Sequence, residues 1–199
     1  ENEGQLVIAK KEEKKAVPTS GILATTIEGF KQQLTETYSV NITQVEEACS
    51  ILPSNYDFEI WKTLYRILLS KSKHTGESKF KVALQFPEGL LIYSTLISDL
   101  IQKYCDCDTL IMGDVTYGAC CIDDLGARAL GASFMVHYAH SCLVPIQEMA
   151  IKDLLYVFVT IRINLQHFVN TVIHNLGDQK ENSIYLLGTI QFTNSLFMC

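Results

Sequence analysis

Apolar and polar positions alternate along this chain with two different periods, and the places where the period changes outline its elements. From Thr26 to Leu52 the text is helical in character. "NITQVEEACSIL" offers Asn41 or Thr43 as a cap, with Glu46 three residues after Thr43, and Pro53 stops the run. In "FEIWKTLYRILLSK", Ile60, Leu64, Ile67 and Leu68 fall on one face at i, i+4, i+7 and i+8, with Asp57 as the candidate cap. A polar linker at 70–78 follows. "FKVALQF" (80–86) then reads as a strand ending at Pro87, and "PEGLLIYSTLISDLIQKY" as a helix with its stripe on Leu90, Ile97 and Ile101.

Short apolar runs then recur between helical stretches: "DTLIMGD" (108–114), "SFMVHYA" (133–139), "LLYVFVTI" (154–161) and "SIYLLGTI" (183–190), with helices expected through about Leu130 and over "NLQHFVNTVIHNL" (164–176). Strands that are apolar nearly throughout, alternating with helices, predict an α/β fold whose parallel sheet is covered by helices on both faces. The organisation expected is a mobile arm over 1–25, a first α/β domain with its N-terminal helices over 26–153, and an incomplete second α/β unit restarting at Leu154, over 154–199. Apolar surface such as Leu154–Val159 would then lie exposed.

Composition narrows the function classes. Of 199 residues, 48% are hydrophobic and 19% charged, enough for a substantial core and too apolar for disorder. The formal charge of −6 argues against a phosphate-tracking surface, so nucleic acid is not an expected partner. No run approaches the roughly 18 apolar residues of a membrane span, and no secretory signal is visible. The cysteines at 49, 105, 107, 120, 121, 142 and 199 are odd in number, which in this setting reads as reduced thiols of a soluble cytoplasmic protein.

Candidate chemistry gathers in "GDVTYGACCIDDLGARALGA" (113–132). Cys120 sits in a loop after a strand and before a helix, where open α/β sheets collect functional groups. A helix start stabilises a thiolate, the form that ligates soft metals and iron–sulfur clusters. Cysteine is also a common packing residue, so from the residues alone Cys120 is either a working thiol or filler, while Cys121 reads as core. Asp123 and Asp124 suit a helix N-terminus in either case. Cys105 and Cys107 form C-x-C without a second pair, which does not make a closed zinc site. His137, His140 and Cys142 ("HYAHSC") could bind zinc or simply pack at a strand end. Glu88 and Gly89 of "FPEGL" could line a cleft. No phosphate-binding glycine loop and no Ser–His–Asp arrangement is legible.

"LPSNYDFEIWKTLYRI", "VALQFPEGLLIYSTLISDLI", "MGDVTYGACCIDDLGARALGASFMVHYAHSCLVP" and "LLYVFVTIRIN" together resemble, in order and spacing, blocks of the eukaryotic diphthamide-synthesis family over roughly residues 51–192. The Tyr-Gly-Ala-Cys turn resembles subunit 1 of its 2-(3-amino-3-carboxypropyl)histidine synthase, whereas the paralogous second subunit typically carries Tyr-Gly-Ser-Cys. The resemblance implies transfer of the 3-amino-3-carboxypropyl group from S-adenosylmethionine to a histidine of translation elongation factor 2 by iron–sulfur radical chemistry. It implies three similar α/β domains, each giving one cysteine to a 4Fe-4S cluster, with Cys120 the first-domain ligand and Cys121 its packing neighbour. His137, His140 and Cys142 would shape the cleft, and Glu88 and Gly89 would face the same cavity as possible contacts. Implied partners are the second subunit in a heterodimer, the elongation factor, and a small iron-binding electron donor.

The family's other two cluster cysteines have no counterpart here, since "NSLFMC" around Cys199 does not resemble them. This chain is therefore expected to be a truncated piece, inactive alone. The competing expectation is a non-catalytic scaffolding form that pairs with the second subunit.

Overall fold

A computed structural model describes residues 25–76, 78–113, 122–142, 144–177 and 185–198 of the chain. The arm expected over 1–25 lies outside them, save for its last residue.

Helix α1 (Ile27–Glu36) starts where the Thr26 hydroxyl accepts from the Gly29 amide at 3.1 Å. Asn41 rather than Thr43 caps α2 (Ile42–Cys49), its Oδ1 accepting from Gln44 N at 3.1 Å. Each side chain satisfies a backbone donor that the first helical turn leaves open. Asp57 belongs to a two-residue strand, β1 (Tyr56–Asp57), and its carboxylate accepts from Glu59 N. Helix α3 (Ile60–Lys73) therefore begins after Glu59, held in the left-handed region at φ 49° with no side-chain cap. Ile60, Leu64 and Ile67 are its buried face, with Leu68 half-buried beside them.

Strand β2 (Lys81–Gln85) leads through Phe86 and Pro87 into a 3-10 turn over Glu88–Tyr93, and only from Ser94 does α4 (Ser94–Cys105) follow. The helix expected from Pro87 onward is thus tighter in its first turns. Next come β3 (Asp108–Met112), α5 (Asp124–Ala129), β4 (Phe134–Tyr138), β5 (Leu154–Val157), β6 (Thr160–Ile161), α6 (Leu165–Leu176) and α7 (Thr193–Phe197).

β2, β3, β4 and β5 form one parallel sheet in the order β3-β2-β4-β5, with Gln85 in register with Met112 on one side and His137 on the other. Side chains alternate between its faces, as a pleated strand requires. Val82, Leu84, Phe134, Val136, Tyr138, Leu155 and Val157 point into a core shared with Leu34, Leu64, Ile67 and Ile97 from α1, α3 and α4. Ala83, Met135 and Leu154 point the other way, onto Ala127 of α5 and onto Met149 and Ile151. Both faces are covered, which is why every residue of β4 is buried.

Three expectations about the C-terminal part are corrected. Leu154 does not open a separate unit: β5 is hydrogen-bonded to β4 in the same sheet, and Leu155 and Val157 complete the same core. Leu154–Val159 is accordingly not an exposed apolar surface, since Leu154, Leu155, Val157 and Val159 are buried. The run "LLYVFVTI" is broken at Val159, whose φ of 49° is a conformation that β-branched residues rarely adopt. Beyond the break, β6 turns to pair antiparallel with β1. Nor is there a strand at 185–189: Tyr185 is 86% exposed and Leu187 94%. A strand needs a neighbour for its backbone groups, and none of the described strands lies beside this segment. Of "SIYLLGTI", residues 183 and 184 lie outside the described set.

The sheet core has an aromatic seam, with Phe86 stacked on Tyr138 (centroids 4.2 Å apart, planes at 8°) and Phe58 meeting Tyr138 edge-on. The Tyr138 hydroxyl is fully buried here and has no hydrogen-bond partner among the described residues. An unpaired buried hydroxyl costs free energy that phenylalanine avoids. Tyr138→Phe is therefore expected to stabilise the fold by about 1 kcal/mol in a urea titration at unchanged slope. A loss of stability would mean that the hydroxyl is bonded in solution.

Candidate functional site

β2 connects through α4 to β3 on one side, whereas β4 and β5 lie on the other side of β2. The carboxyl ends of β2 and β4 therefore border the point where strand order reverses, the usual ligand crevice of an open parallel sheet. The residues found there are Gln85 and the Phe86–Gly89 turn after β2, and His137, Ala139 and His140 on and after β4.

Gln85 is fully buried and His137 is 2% exposed. Gln85 Oε1 accepts from the backbone amide of Asp123 at 3.2 Å, and Gln85 Nε2 donates to the carbonyl of Gly113 at 3.4 Å. An amide N–H can only donate and a carbonyl can only accept, so these backbone groups fix which way the side-chain amide faces. His137 Nδ1 lies 3.1 Å from the same Oε1 and must donate to it. In the neutral imidazole this leaves His137 Nε2 as an acceptor, and it faces His140 Nδ1 at 3.4 Å. The chain reaches that pairing by a turn at Ala139, whose φ of 95° is unusual for a residue with a Cβ. The turn is held by Ala139 N donating to Val157 O and by Gln191 Nε2 donating to Ala139 O. Tyr156 stands edge-on to His137, with centroids 6.0 Å apart.

Glu88 and Gly89 both lie at this end of the sheet and are exposed; a Cβ on Gly89 would meet nothing within 4 Å. Cys120 and Cys121 lie outside the described residues, although the flanking Gly113 and Asp123 are the backbone partners of Gln85. The acidic pair has structural work. Asp123 Oδ1 caps α5 by accepting from Gly126 N at 2.9 Å, and Asp124 accepts from Ala150 N.

Cys142 does not join the two histidines. Its amide donates to the Tyr156 hydroxyl at 3.3 Å, and its side chain lines a separate cleft of about 530 Å³ with Asp124, Arg128, Glu148 and Lys152. Among the described residues no group of three or more His, Cys, Asp or Glu side chains could hold a metal ion, so a zinc centre on His137, His140 and Cys142 has no support.

Cys105 and Cys107 are core residues at the other end of β3, with the Cys105 thiol directed at Leu64 O. Burial pushes the Cys105 thiol well up, and pushes Cys107 and Cys49 up to about 11. These groups stay protonated at neutral pH and are poor ligands and nucleophiles. A thiol whose folded pKa exceeds its unfolded value of 9.0 contributes stability in full below pH 9 and loses it as pH rises through about 11. Tyr38, Tyr138 and Tyr156, raised by burial, add to the same trend from about pH 10. The thermal midpoint is thus expected to hold to near pH 9 and fall above it. A midpoint that rises towards pH 11 would contradict the burial of these groups.

The position that sequence reasoning missed is Gln85. Its signal was a lone amide closing the apolar run "KVAL" just before Phe-Pro, a polar residue where the strand pattern calls for an apolar one.

Fold and site together define a doubly wound α/β domain with a buried Gln85–His137 pair and the half-buried His140 at its switch point. Compared with known proteins, residues 86–198, more than half of the chain, match the diphthamide synthesis protein family, and the chain belongs to that family. It is 53% identical over 157 residues to 2-(3-amino-3-carboxypropyl)histidine synthase subunit 1 of Dictyostelium discoideum, covering 79% of this chain and 31% of that protein. Against the same subunit of Saccharomyces cerevisiae it is 52% identical over 153 residues, covering 77% and 34%. The crystal structure of Dph2 from Pyrococcus horikoshii aligns with a TM-score of 0.48 at 19% identity, over 64% of this chain and 33% of that one. The chain spans about a third of the length of the curated relatives it matches. No helix among the described residues is long and apolar enough to cross a membrane.

Proposed function

We propose that this segment works within subunit 1 of a cytoplasmic enzyme for the first step of diphthamide synthesis. The reaction is transfer of the 3-amino-3-carboxypropyl group from S-adenosylmethionine to a histidine of translation elongation factor 2. The observation that carries this reading is the identity of about half of all positions to synthase subunit 1 proteins across nearly four-fifths of the chain. The partners are the paralogous second subunit and a small iron-binding electron donor. In this reading two further α/β domains of the same design complete the enzyme.

Not every thiol of the chain suits a cluster. The thiols of Cys49, Cys105 and Cys107 are held protonated by burial, so they do not suit an iron–sulfur centre. Cys120 lies between Gly113 and Asp123, which are bonded at the switch point, and it is the thiol we assign as a 4Fe-4S ligand. When bound, a cluster would supply the electron that opens the sulfonium of S-adenosylmethionine. This chain's own residues border the crevice: exposed Glu88 and Gly89 offer a carboxylate and an uncrowded backbone as possible substrate contacts, and His140 lies at its rim.

The reading is tested by incubating the full protein, co-expressed with the second subunit and reduced anaerobically, with S-adenosylmethionine labelled in its methionyl carbons and with elongation factor 2. Label should become bound to the factor with wild type and not with Cys120→Ala. Equal labelling by both would remove Cys120 from the chemistry. No labelling by either, with a correctly folded complex, would favour a non-catalytic scaffolding role.

A further inference from the structure

Ala139, the first residue after β4, stands at φ 95°, a conformation that a residue with a Cβ disfavours. Such a residue persists only where its surroundings over-determine it. Here both of its backbone groups are held from elsewhere in the chain. Its amide donates to the Val157 carbonyl at 2.8 Å, which continues the ladder to β5, and its carbonyl accepts from Gln191 Nε2 at 2.6 Å. That carbonyl belongs to the peptide plane that carries the backbone nitrogen of His140. Its orientation therefore decides where the His140 ring stands, with its centroid 5.0 Å from that of His137 at the carboxyl end of the sheet.

Gln191 reaches the turn from a braced support. It is half-buried in the 3-10 turn Ile190–Phe192, where Phe192 N donates to Thr189 O at 3.0 Å. α7 follows directly, and Ser195 Oγ donates to Ile161 O of β6 at 3.3 Å. β6 in turn pairs with β1. Fixing a glutamine side chain costs rotamer entropy, which the bond to Ala139 offsets. We propose that Gln191 is a positioning residue of the crevice: its amide latches the strained Ala139 turn and so sets the place of His140 at the rim. The effect on group transfer rests on the function proposed above; the latch on Ala139 does not.

Gln191→Met keeps the length of the side chain and removes the donor, and Gln191→Glu sets a carboxylate oxygen against the Ala139 carbonyl. Acylation by diethyl pyrocarbonate, followed by peptide mass spectrometry in the full protein, should quicken at His140 about fivefold in both variants, the population change that one net hydrogen bond is worth. His167 and His174, exposed on α6, should keep their wild-type rates. Glycine takes positive φ at no steric cost, so adding Ala139→Gly to Gln191→Met should bring His140 back towards the wild-type rate. Transfer of label to the elongation factor should fall several-fold in Gln191→Met. In a His140→Ala background Gln191→Met should cost nothing further, because one residue acts through the other. Wild-type His140 acylation in both Gln191 variants would overturn the latch, and additive losses of transfer would overturn the route through His140. If Gln191→Met does not fold, Gln191→Glu decides alone by the His140 rate. If Cys120→Ala still transfers label, the cluster assignment fails while His140 acylation still reports on the turn.

Discussion

Replacing Phe86 with alanine is expected to destabilise the domain by about 3–5 kcal/mol, the range for deleting a buried aromatic ring. Phe86 is completely buried, stacks face to face on Tyr138, and continues the sheet ladder by donating its amide to the Met112 carbonyl at 3.0 Å. The neighbours that would have to fill the gap cannot move freely: Tyr138 closes β4, and Phe58 is wedged between Tyr93 and Tyr138. The cavity would therefore persist, which places the cost high in the range. Phe86→Leu keeps most of the volume and should cost about 1 kcal/mol. Chemical denaturation of the three proteins checks both values. A Phe86→Ala cost under about 1 kcal/mol would mean that the seam collapses around the missing ring, and so that the carboxyl edge of β2 is softer than its packing implies. The result bears on the site, because Phe86 is the residue that joins Gln85 to the Pro-Glu-Gly turn.

How much of this was readable beforehand depends on how local the cause is. The face of α3 through Ile60, Leu64 and Ile67 was legible because helical periodicity is written in neighbouring residues, and so were the cap at Asn41, one of two candidates, and the strands at β2, β3 and β4. Leu154–Val157 was read as a strand, but its sheet was not, since an apolar run fits the fourth place of one sheet and the first place of another equally well. Its partner β4 lies some twenty residues earlier, and only the shared core decides. The split of that run at Val159 and the return of β6 to β1 depend on contacts a hundred residues apart. Gln85 was overlooked for the same reason. Its partners Gly113, Asp123 and His137 are distant in sequence, and a single glutamine carries no periodic signal. Cys120, conversely, owes its assignment to resemblance, because a thiol before a helix is ambiguous in the residues alone.

In the full protein loaded with iron and sulfide under anaerobic conditions, Cys120→Ala is expected to lose the cluster and its broad visible absorption, from about four irons per cluster to background. The reason is geometric as well as chemical. Cys105 and Cys107 sit at the amino end of β3, and the Cys120 segment follows its carboxyl end. β3 runs five residues, roughly 16 Å at about 3.3 Å each, from these two cysteines to Gly113, after which the chain leads on to Cys120. Both thiols are also held protonated by burial. The thiols able to compete are Cys121, adjacent in the chain, and Cys142, half-buried after β4 at the same end of the sheet. Cys121→Ala and Cys142→Ala should therefore retain the cluster, and together with Cys120→Ala they form the necessary set. Loss of iron in Cys121→Ala with retention in Cys120→Ala would shift the ligand by one residue and leave the transferase reading intact. Retention in all three, with wild type loading normally, would show that this segment supplies no ligand, and the chemistry would then have to be sought elsewhere in the protein.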